Sequence, residues 1–400
     1  MKIVDIAEFY APHGGGVKTY IHQKLQAAEA GGHEAIILAP GPQTYKEPVP
    51  GGQIWWVKAA QLPFDKRYYL FTRSAEVHDI LWQERPDVIE ASSTWRGAWI
   101  AASWPGDALR ALILHQEPVS VYPHTLLDGV LSPQRIDAVF LPFWRYMRQL
   151  QRRFDTTVVS GEWLAKRLAR FGLSAPHVVP FGLLKQSLGP HFRDQSLRAK
   201  LLRDMGMDPD RAKLLINISR HHPEKRLKTV FEAVRLANHH RPIGLIQIGT
   251  GPSAKSIQRL ARNTPFIHLQ GFVSERRSLA RYLASADAMI HAGAAETFGL
   301  VLAEGLCSGL PLIVPDRGGA FDMARPSHSE VYAAGNAEAA ASAVMRLLDR
   351  DPGALQRSVS EAARMQLLPH DTHFQQLFSH YRDGLNCALD APSVMQRSAA

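Results

Sequence analysis

Two carboxylates and two cations in this sequence stand at spacings that could hold a phosphorylated ligand. Glu296 and Glu304 fall eight residues apart in His291-Ala-Gly-Ala-Ala-Glu296-Thr297-Phe298-Gly299-Leu300-Val-Leu-Ala-Glu304. The run reads as a strand end, a loop bearing Glu296, and a helix from about Gly299 that carries Glu304. Backbone N–H groups of Phe298, Gly299 and Leu300 at such a helix start would form an anion site, strengthened by the helix dipole. Acids so spaced can reach different hydroxyls of one extended ligand. Spacing alone serves equally well a solvent-facing Glu304 and a Glu296 that merely complements the dipole.

The cations are Arg220 and Lys225, in Asn217-Ile-Ser219-Arg220-His-His-Pro223-Glu224-Lys225-Arg226, directly after an apolar strand. At the carboxyl end of a parallel strand they could clamp a diphosphate and neutralise the charge that grows as it leaves. A solvated charge run is the plainer alternative. Gly14-Gly15-Gly16 follows the first strand and lets backbone approach a phosphate or sugar, but it lacks the glycine spacing of a dinucleotide fingerprint and the lysine of a P-loop. His115 ends a strand and is followed by Gln116-Glu117-Pro118, so its imidazole could open toward a cleft and donate to a sugar hydroxyl; a lone histidine is more often structural. Asp208-Pro-Asp210 and Asp349-Arg-Asp351 resemble metal-binding pairs but lie in polar turns, where cap or turn duty explains them. No metal site is expected.

Positioning these groups falls to short apolar runs that alternate with amphipathic stretches, the pattern of βαβ units and a parallel sheet covered on both faces. One series has strands near Ile3–Ile6, Glu34–Ala39, Val88–Ala91, Leu109–Leu114 and Thr156–Ser160. A second has them near Leu214–Ser219, Gly244–Ile248, Phe266–Gln270, Ala288–His291 and Pro311–Val314. The 400 residues exceed what one core usually organises, and 46% hydrophobic with 21% charged residues excludes a mainly disordered, collagen-like or coiled-coil chain. Two α/β domains follow, 1–182 and 183–370, hinged at Val178-Val-Pro180-Phe181-Gly182-Leu183. A last helix is expected over about 371–386, and a disordered polar tail over 387–400.

The net charge of +9 calls for an anionic partner, yet no dense Lys/Arg tail speaks for nucleic acid. No window of about 20 apolar residues is present, so any membrane contact would be peripheral. One helix, Trp144 to Phe154, sets an apolar stripe at 144, 147, 150 and 154 beside arginines, and residues 144–170 hold seven Lys/Arg against two acids. Such a helix could lie on an anionic membrane, or pack its stripe into the core with the arginines solvated. The two cysteines, Cys307 and Cys387, offer no disulfide framework, which makes a reducing cytoplasm the default.

Together these residues resemble the retaining GT-B glycosyltransferases of glycosyltransferase family 4, which include bacterial phosphatidylinositol mannosyltransferases and lipopolysaccharide glycosyltransferases. The likeness runs from Met1 to about residue 386. It is most specific at Glu296 to Glu304, similar to the family's Glu-x7-Glu motif, and at Arg220 with Lys225, similar to its diphosphate clamp. The resemblance implies two Rossmann-like, doubly wound domains facing a cleft, with the final helix crossing back to the first. By position, Glu296 would contact the donor sugar, Glu304 the nucleotide ribose, and Arg220 and Lys225 the diphosphate. The Phe298, Gly299 and Leu300 backbone would hold phosphate oxygens, and Gly271, Phe272 and Val273 would line the base pocket. Gly15 and Gly16 would approach the diphosphate from the other domain, and His115 matches the first-domain residue that meets the sugar. Arg226 departs from the small residue that often follows the lysine.

The expected activity is retaining, metal-independent transfer of a hexosyl unit from a nucleotide-diphospho-sugar to an acceptor hydroxyl, with Glu296, His115, Arg220 and Lys225 as the catalytic set. No separate cofactor is implied, since the nucleotide-sugar is the donor substrate. The resemblance points first to GDP-mannose and next to a UDP-sugar, and the basic aromatic helix to a lipid or lipid-linked acceptor at the inner membrane surface. Two other readings stand beside it: a nucleotide-sugar epimerase or hydrolase on the same fold, and a non-catalytic nucleotide-sugar-binding subunit.

Overall fold

The computed structural model describes residues 1–10, 16–62, 68–127, 130–262 and 264–390. Two parallel sheets organise them. The first has eight strands, in spatial order His177–Val178, Thr156–Val159, Leu109–Leu114, Val88–Ala91, Lys2–Ile6, Glu34–Gly41, Gly52–Lys58 and Tyr45–Val49. All pair in parallel except Tyr45–Val49, which runs antiparallel to Gly52–Lys58. The second sheet has six strands, in order Ile267–Gly271, Ile243–Ile248, Lys213–Ile218, Ala288–Ile290, Leu312–Pro315 and Ser329–Tyr332. In both, the order reverses beside the first strand: between Lys2–Ile6 and Val88–Ala91, and between Lys213–Ile218 and Ala288–Ile290. At such a reversal the flanking loops diverge and leave a crevice beyond the strands' carboxyl ends.

Helices on both faces explain why the strands are apolar throughout: all six residues of Ile243–Ile248 are buried, and seven of the eight in Glu34–Gly41. Alternate residues of one strand feed opposite layers. Val4 and Ile6 join one core cluster of the first sheet, while Ile3 joins the other. Gly182–Leu183 and Leu368–Pro369 form a two-stranded pair, so the two passages of chain between the units lie side by side.

The last helix, His370–Asp390, runs back to the first sheet and buries Phe374, Leu377, Phe378 and Tyr381 in its core. It is longer than expected. Residues 387–390, anticipated as part of a tail, are helical, because Ala and Leu favour helix and no proline stands before Pro392. The rest of that anticipated tail lies outside the described residues.

Between the two readings of residues 144–154, the structure favours packing into the core. The Leu141–Gln151 helix turns Trp144, Met147 and Leu150 into the core, with exposures of 0%, 2% and 0%, and Trp144 stacks on Phe171 at 4.0 Å between ring centroids. Its apolar stripe is already covered, so that face has nothing to insert into a bilayer. Arg148 donates to the Phe171 carbonyl at 2.6 Å. Among the described residues, no helix is long and apolar enough to cross a membrane. The two aspartate pairs serve turns and caps: Asp208 accepts from the Asp210 amide at 3.0 Å, and Asp351 caps the Pro352–Met365 helix.

Candidate functional site

The loops after Lys213–Ile218 and Ala288–Ile290, on either side of the reversal in the second sheet, carry the chemistry. Lys225 closes the short helical turn Pro223–Lys225, and its ammonium donates to Glu296 Oε1 while lying 3.7 Å from Glu224 Oε1. Arg220 Nη2 donates to that same Glu224 oxygen at 2.9 Å, with most of its side chain exposed. His291 Nε2 lies 3.4 Å from Glu296 Oε1. Arg220, Lys225 and Glu296 are thereby gathered into one cluster, joined by His291 and Glu224.

Charges decide its electrostatics. Burial pulls the Lys225 ammonium down, but Glu296 and Glu224 outweigh it and hold its pKa above the ordinary value. Burial would likewise raise the Glu296 carboxyl, yet Lys225 and His291 hold it far below the usual carboxylate range. Both groups are therefore charged at neutral pH.

The loop bearing Glu296 is fixed from behind: its carbonyl accepts the Gly319 amide at 2.6 Å. Gly299 then takes φ +87°, a left-handed turn suited to glycine, and caps the Leu300–Cys307 helix with its carbonyl. Phe298 is buried and Leu300 is half exposed, and the first-turn amides of this helix have no partner within the helix itself. Glu304 sits apart from Glu296, held at 2.8 Å by Arg276 Nη1. Burial raises its carboxyl, with Arg276 opposing. Gly271 (φ +76°) ends its strand, Val273 packs on the core, and the Phe272 ring is exposed.

From the first unit, His115 reaches the site at a direct contact: its carbonyl accepts from Thr297 Oγ1 at 2.8 Å. Its ring packs edge-on to Tyr20 at 5.0 Å and stacks on Phe181, and Phe181 meets Phe298. Burial pushes the imidazole down to about 4, so it is neutral and keeps one N–H donor. Gly16 opens the Gly16–Ala30 helix with free space where a Cβ would point. Gly15 lies outside the described residues.

Sequence reasoning missed four partners. His291 directly follows a strand at the reversal, a position that could have flagged it. Arg276 and Glu224 gave no signal, because their partners lie on other loops or were read as a charge run. The fourth is a contact between units: the Trp163 amide donates to Asp322 Oδ2 at 2.6 Å. Gly161, the residue before the Glu162–Arg170 helix, has no side chain to cap it, and a Cβ there would lie 2.7 Å from the Thr297 carbonyl. Asp322 thus caps the first unit's helix from the second unit. Among the described residues, no group of three His, Cys, Asp or Glu side chains could hold a metal ion.

Two doubly wound sheets with a charged cleft between them define the GT-B class, and known proteins agree. Residues 203–366 match the family model described as glycosyl transferases group 1, and residues 15–182 match the glycosyl transferase 4-like domain. A GDP-mannose-dependent alpha-(1-6)-phosphatidylinositol dimannoside mannosyltransferase of Mycobacterium tuberculosis is 28% identical over 357 residues, 88% of each chain. A GDP-mannose-dependent alpha-mannosyltransferase of Corynebacterium glutamicum is 24% identical, over 81% of this chain and 74% of that protein. In fold, the chain is similar to a sucrose-phosphate synthase from Thermosynechococcus elongatus, with TM-score 0.76, 18% identity, and coverage of 97% of this chain and 100% of that one. It is also similar to Anabaena HepE solved with UDP and glucose, with TM-score 0.69, 16% identity, and coverage of 96% and 99%. The chain belongs to the family 4 glycosyltransferases of GT-B fold, enzymes that use a nucleotide-sugar donor.

Proposed function

We propose that this glycosyltransferase is retaining and metal-independent, and moves mannose from GDP-mannose to a hydroxyl of a lipid-linked acceptor at the cytoplasmic membrane face. The observation that carries the mechanism is Lys225 held between Glu296 and Glu224 at the sheet reversal, facing the Thr297–His115 junction. The donor diphosphate competes for Lys225 and Arg220 and for the amides at the start of the Leu300–Cys307 helix. Losing Lys225 frees Glu296 to accept a hydrogen bond from a sugar hydroxyl, and neutral His115 donates to another. Glu304 takes the nucleotide ribose in this reading, with Arg276 beside it.

In the reaction, the acceptor oxygen bonds to the anomeric carbon as the bond from that carbon to the phosphate oxygen breaks. The acceptor's proton passes to the leaving phosphate oxygen on the same face, so configuration is retained. Arg220, Lys225 and the helix start stabilise the growing charge, which is the work a metal would otherwise do. A covalent sugar–enzyme intermediate would need a free carboxylate from the first unit. Of its buried acids, Asp5 and Glu90 are held by Lys24 and Glu117 by Arg167, while Glu8 accepts from Ser93 and the Gly97 amide through Oε2 alone, its Oε1 having no partner among the described residues.

Mannose and guanine are supported by the relatives' names. A lipid-linked acceptor is supported by exposed apolar side chains at Tyr122, Leu126, Val139 and Leu141, close in sequence to Arg135 and Arg145. These replace the Trp144 stripe as the surface that would face acyl chains.

The test measures thermal stabilisation by GDP-, UDP- and ADP-sugars in EDTA, followed by NMR of the product anomer. GDP-mannose at about 100-fold excess over its Kd should add about 2.7 kcal/mol. An α-linked product is expected. A β-linked product would sink retention, and turnover only after metal is restored would sink metal independence. Sugar release without acceptor would favour the hydrolase reading. Unchanged turnover in Glu296→Ala would remove Glu296 from the site.

A further inference from the structure

His373 stands where the two passages of chain between the units meet. It lies in the first turn of the last helix, just beyond the Leu368–Pro369 strand that pairs with Gly182–Leu183. Its ring is buried, with 4% of the residue exposed. The neighbouring buried side chains of this helix, Phe374, Leu377, Phe378 and Tyr381, fill the core of the first unit. His373 instead uses both ring nitrogens: Nδ1 lies 2.9 Å from the Pro180 carbonyl oxygen, and Nε2 lies 3.1 Å from the Tyr20 hydroxyl. A carbonyl can only accept, so Nδ1 carries the proton. Burial keeps the ring neutral at physiological pH, so Nε2 is the acceptor and Tyr20 donates to it. One tautomer satisfies both partners.

Those two bonds grip the rings that hold His115. Pro180 precedes Phe181, whose ring lies nearly parallel to the His115 imidazole, 6.0 Å away at 19°. Tyr20 crosses the same imidazole at 5.0 Å and 70°. Tyr20 and Phe181 touch each other at 5.4 Å, and His373 packs on both, at 5.6 and 5.2 Å. His115 is thus held against two rings in different planes, and each of those rings is tied to His373. Phe181 also meets Phe298 at 5.4 Å, next to Thr297 in the loop that carries Glu296. A side chain that only filled this space would be apolar, since a buried imidazole loses its hydration and must find partners for both nitrogens. What His373 adds over a leucine is direction.

We propose that His373 is a positioning residue for sugar transfer: through Tyr20 and Phe181 it fixes the ring plane of His115, and with it the direction of the N–H that meets the donor sugar. The inference rests on the reading of His115 as a donor to a sugar hydroxyl and extends the site to the last helix. Without His373, the Tyr20 hydroxyl and the Pro180 carbonyl lose their partner, and the two rings no longer fix His115. A misaimed N–H makes a poor hydrogen bond. The nucleotide contacts assigned to Arg220, Lys225 and Glu304 lie on the other unit and are untouched. The loss therefore falls on the sugar and spares the nucleotide.

GDP-mannose and GDP are titrated by calorimetry into the full chain and into His373→Leu, His373→Gln, Tyr20→Phe, His115→Ala and the His115→Ala/His373→Leu double variant. His373→Leu should weaken GDP-mannose binding about fivefold, the factor of one neutral hydrogen bond, with GDP binding as in the wild type. His373→Gln, whose amide can both donate and accept, should recover most of that loss. Tyr20→Phe keeps the ring and loses only the hydroxyl; it should weaken GDP-mannose selectively too, and it decides the matter if His373→Leu folds poorly. In the His115→Ala background the further effect of His373→Leu should shrink below about twofold, because nothing is left to position. Equal loss with and without His115, or GDP weakened in step with GDP-mannose, would make His373 a structural residue and overturn the proposal. Wild-type GDP-mannose affinity in both His373→Leu and Tyr20→Phe would overturn it as well. GDP-mannose binding unaltered by His115→Ala would instead strike the placement of His115 at the sugar, on which the proposal rests.

Discussion

Each unit places a lysine between two carboxylates beside the reversal of its sheet, and the two lysines do different work. In the first, Asp5 and Glu90 occupy directly paired positions of adjacent strands, so their side chains emerge together. Lys24 bridges them at 1% exposure, Ser92 donates to Asp5 at 3.1 Å, and Tyr381 of the last helix donates to Glu90 at 2.8 Å. In the second, Lys225 sits between Glu296 and Glu224, but on loops beyond the strand ends, with 16% and 19% of the Lys225 and Glu296 side chains exposed. Sealing makes the first triad a structural bolt, because no ligand can compete for its bonds. Access makes the second a place where a diphosphate can take the lysine away. Chemistry is nearly the same in both; depth along the strand decides function.

The contrast can be broken most severely at Lys24. Lys24→Met leaves two buried carboxylates without their cation, and urea unfolding should show a loss of about 3–5 kcal/mol. Lys225→Ala should do the reverse: its unfolding midpoint stays close to wild type, while kcat falls about 10²- to 10³-fold through lost stabilisation of the leaving diphosphate. A Lys225→Ala protein that unfolds as readily as Lys24→Met would show that both triads are structural. Tyr381→Phe removes one hydrogen bond to a charged acceptor and should cost about 1.5–3 kcal/mol in the same unfolding assay, with kcat little changed.

A smaller effect comes from the buried histidines. Burial holds His115 and His373 down to about 4, whereas unfolded histidine titrates near 6.5. Between those values the unfolded chain binds more protons, so stability is full above about 6.5 and falls as pH drops toward 4. Each histidine should contribute on the order of 1–2 kcal/mol of this loss by pH 5, read as the unfolding midpoint at pH 5 against pH 7.5. His373→Gln should flatten the slope without abolishing turnover, and an unaltered slope would mean that His373 titrates normally.

Much of this was legible in the sequence because buried parallel strands are written as unbroken apolar runs. Ile243–Ile248 and Leu109–Leu114 show themselves in that way, and the Glu296–Glu304 spacing shows itself through the helix start between the two acids. What stayed hidden depended on partners far away in the chain. The Tyr45–Val49 and Gly52–Lys58 strands carry Pro48 and mixed polarity, since one is an edge strand. Ser329–Tyr332 is too short and polar to stand out. Trp144, Met147 and Leu150 form the same stripe whether they face a membrane or Phe171, and only the packing distinguishes these. Asp322 likewise acquires meaning only when the two units meet.

The returning helix also sets a clock on biosynthesis. Phe374, Leu377, Phe378 and Tyr381 complete a core whose strands all come from residues before 180. At about 5–20 residues per second, roughly 10–40 s separate emergence of the last of those strands from emergence of Tyr381. During that interval the first sheet stands with one flank uncovered and Glu90 without its tyrosine, while the second unit is being made and folded. The chain is therefore stitched shut from its far end, and a ribosome that stalls before Tyr381 leaves both units in place with the first still open.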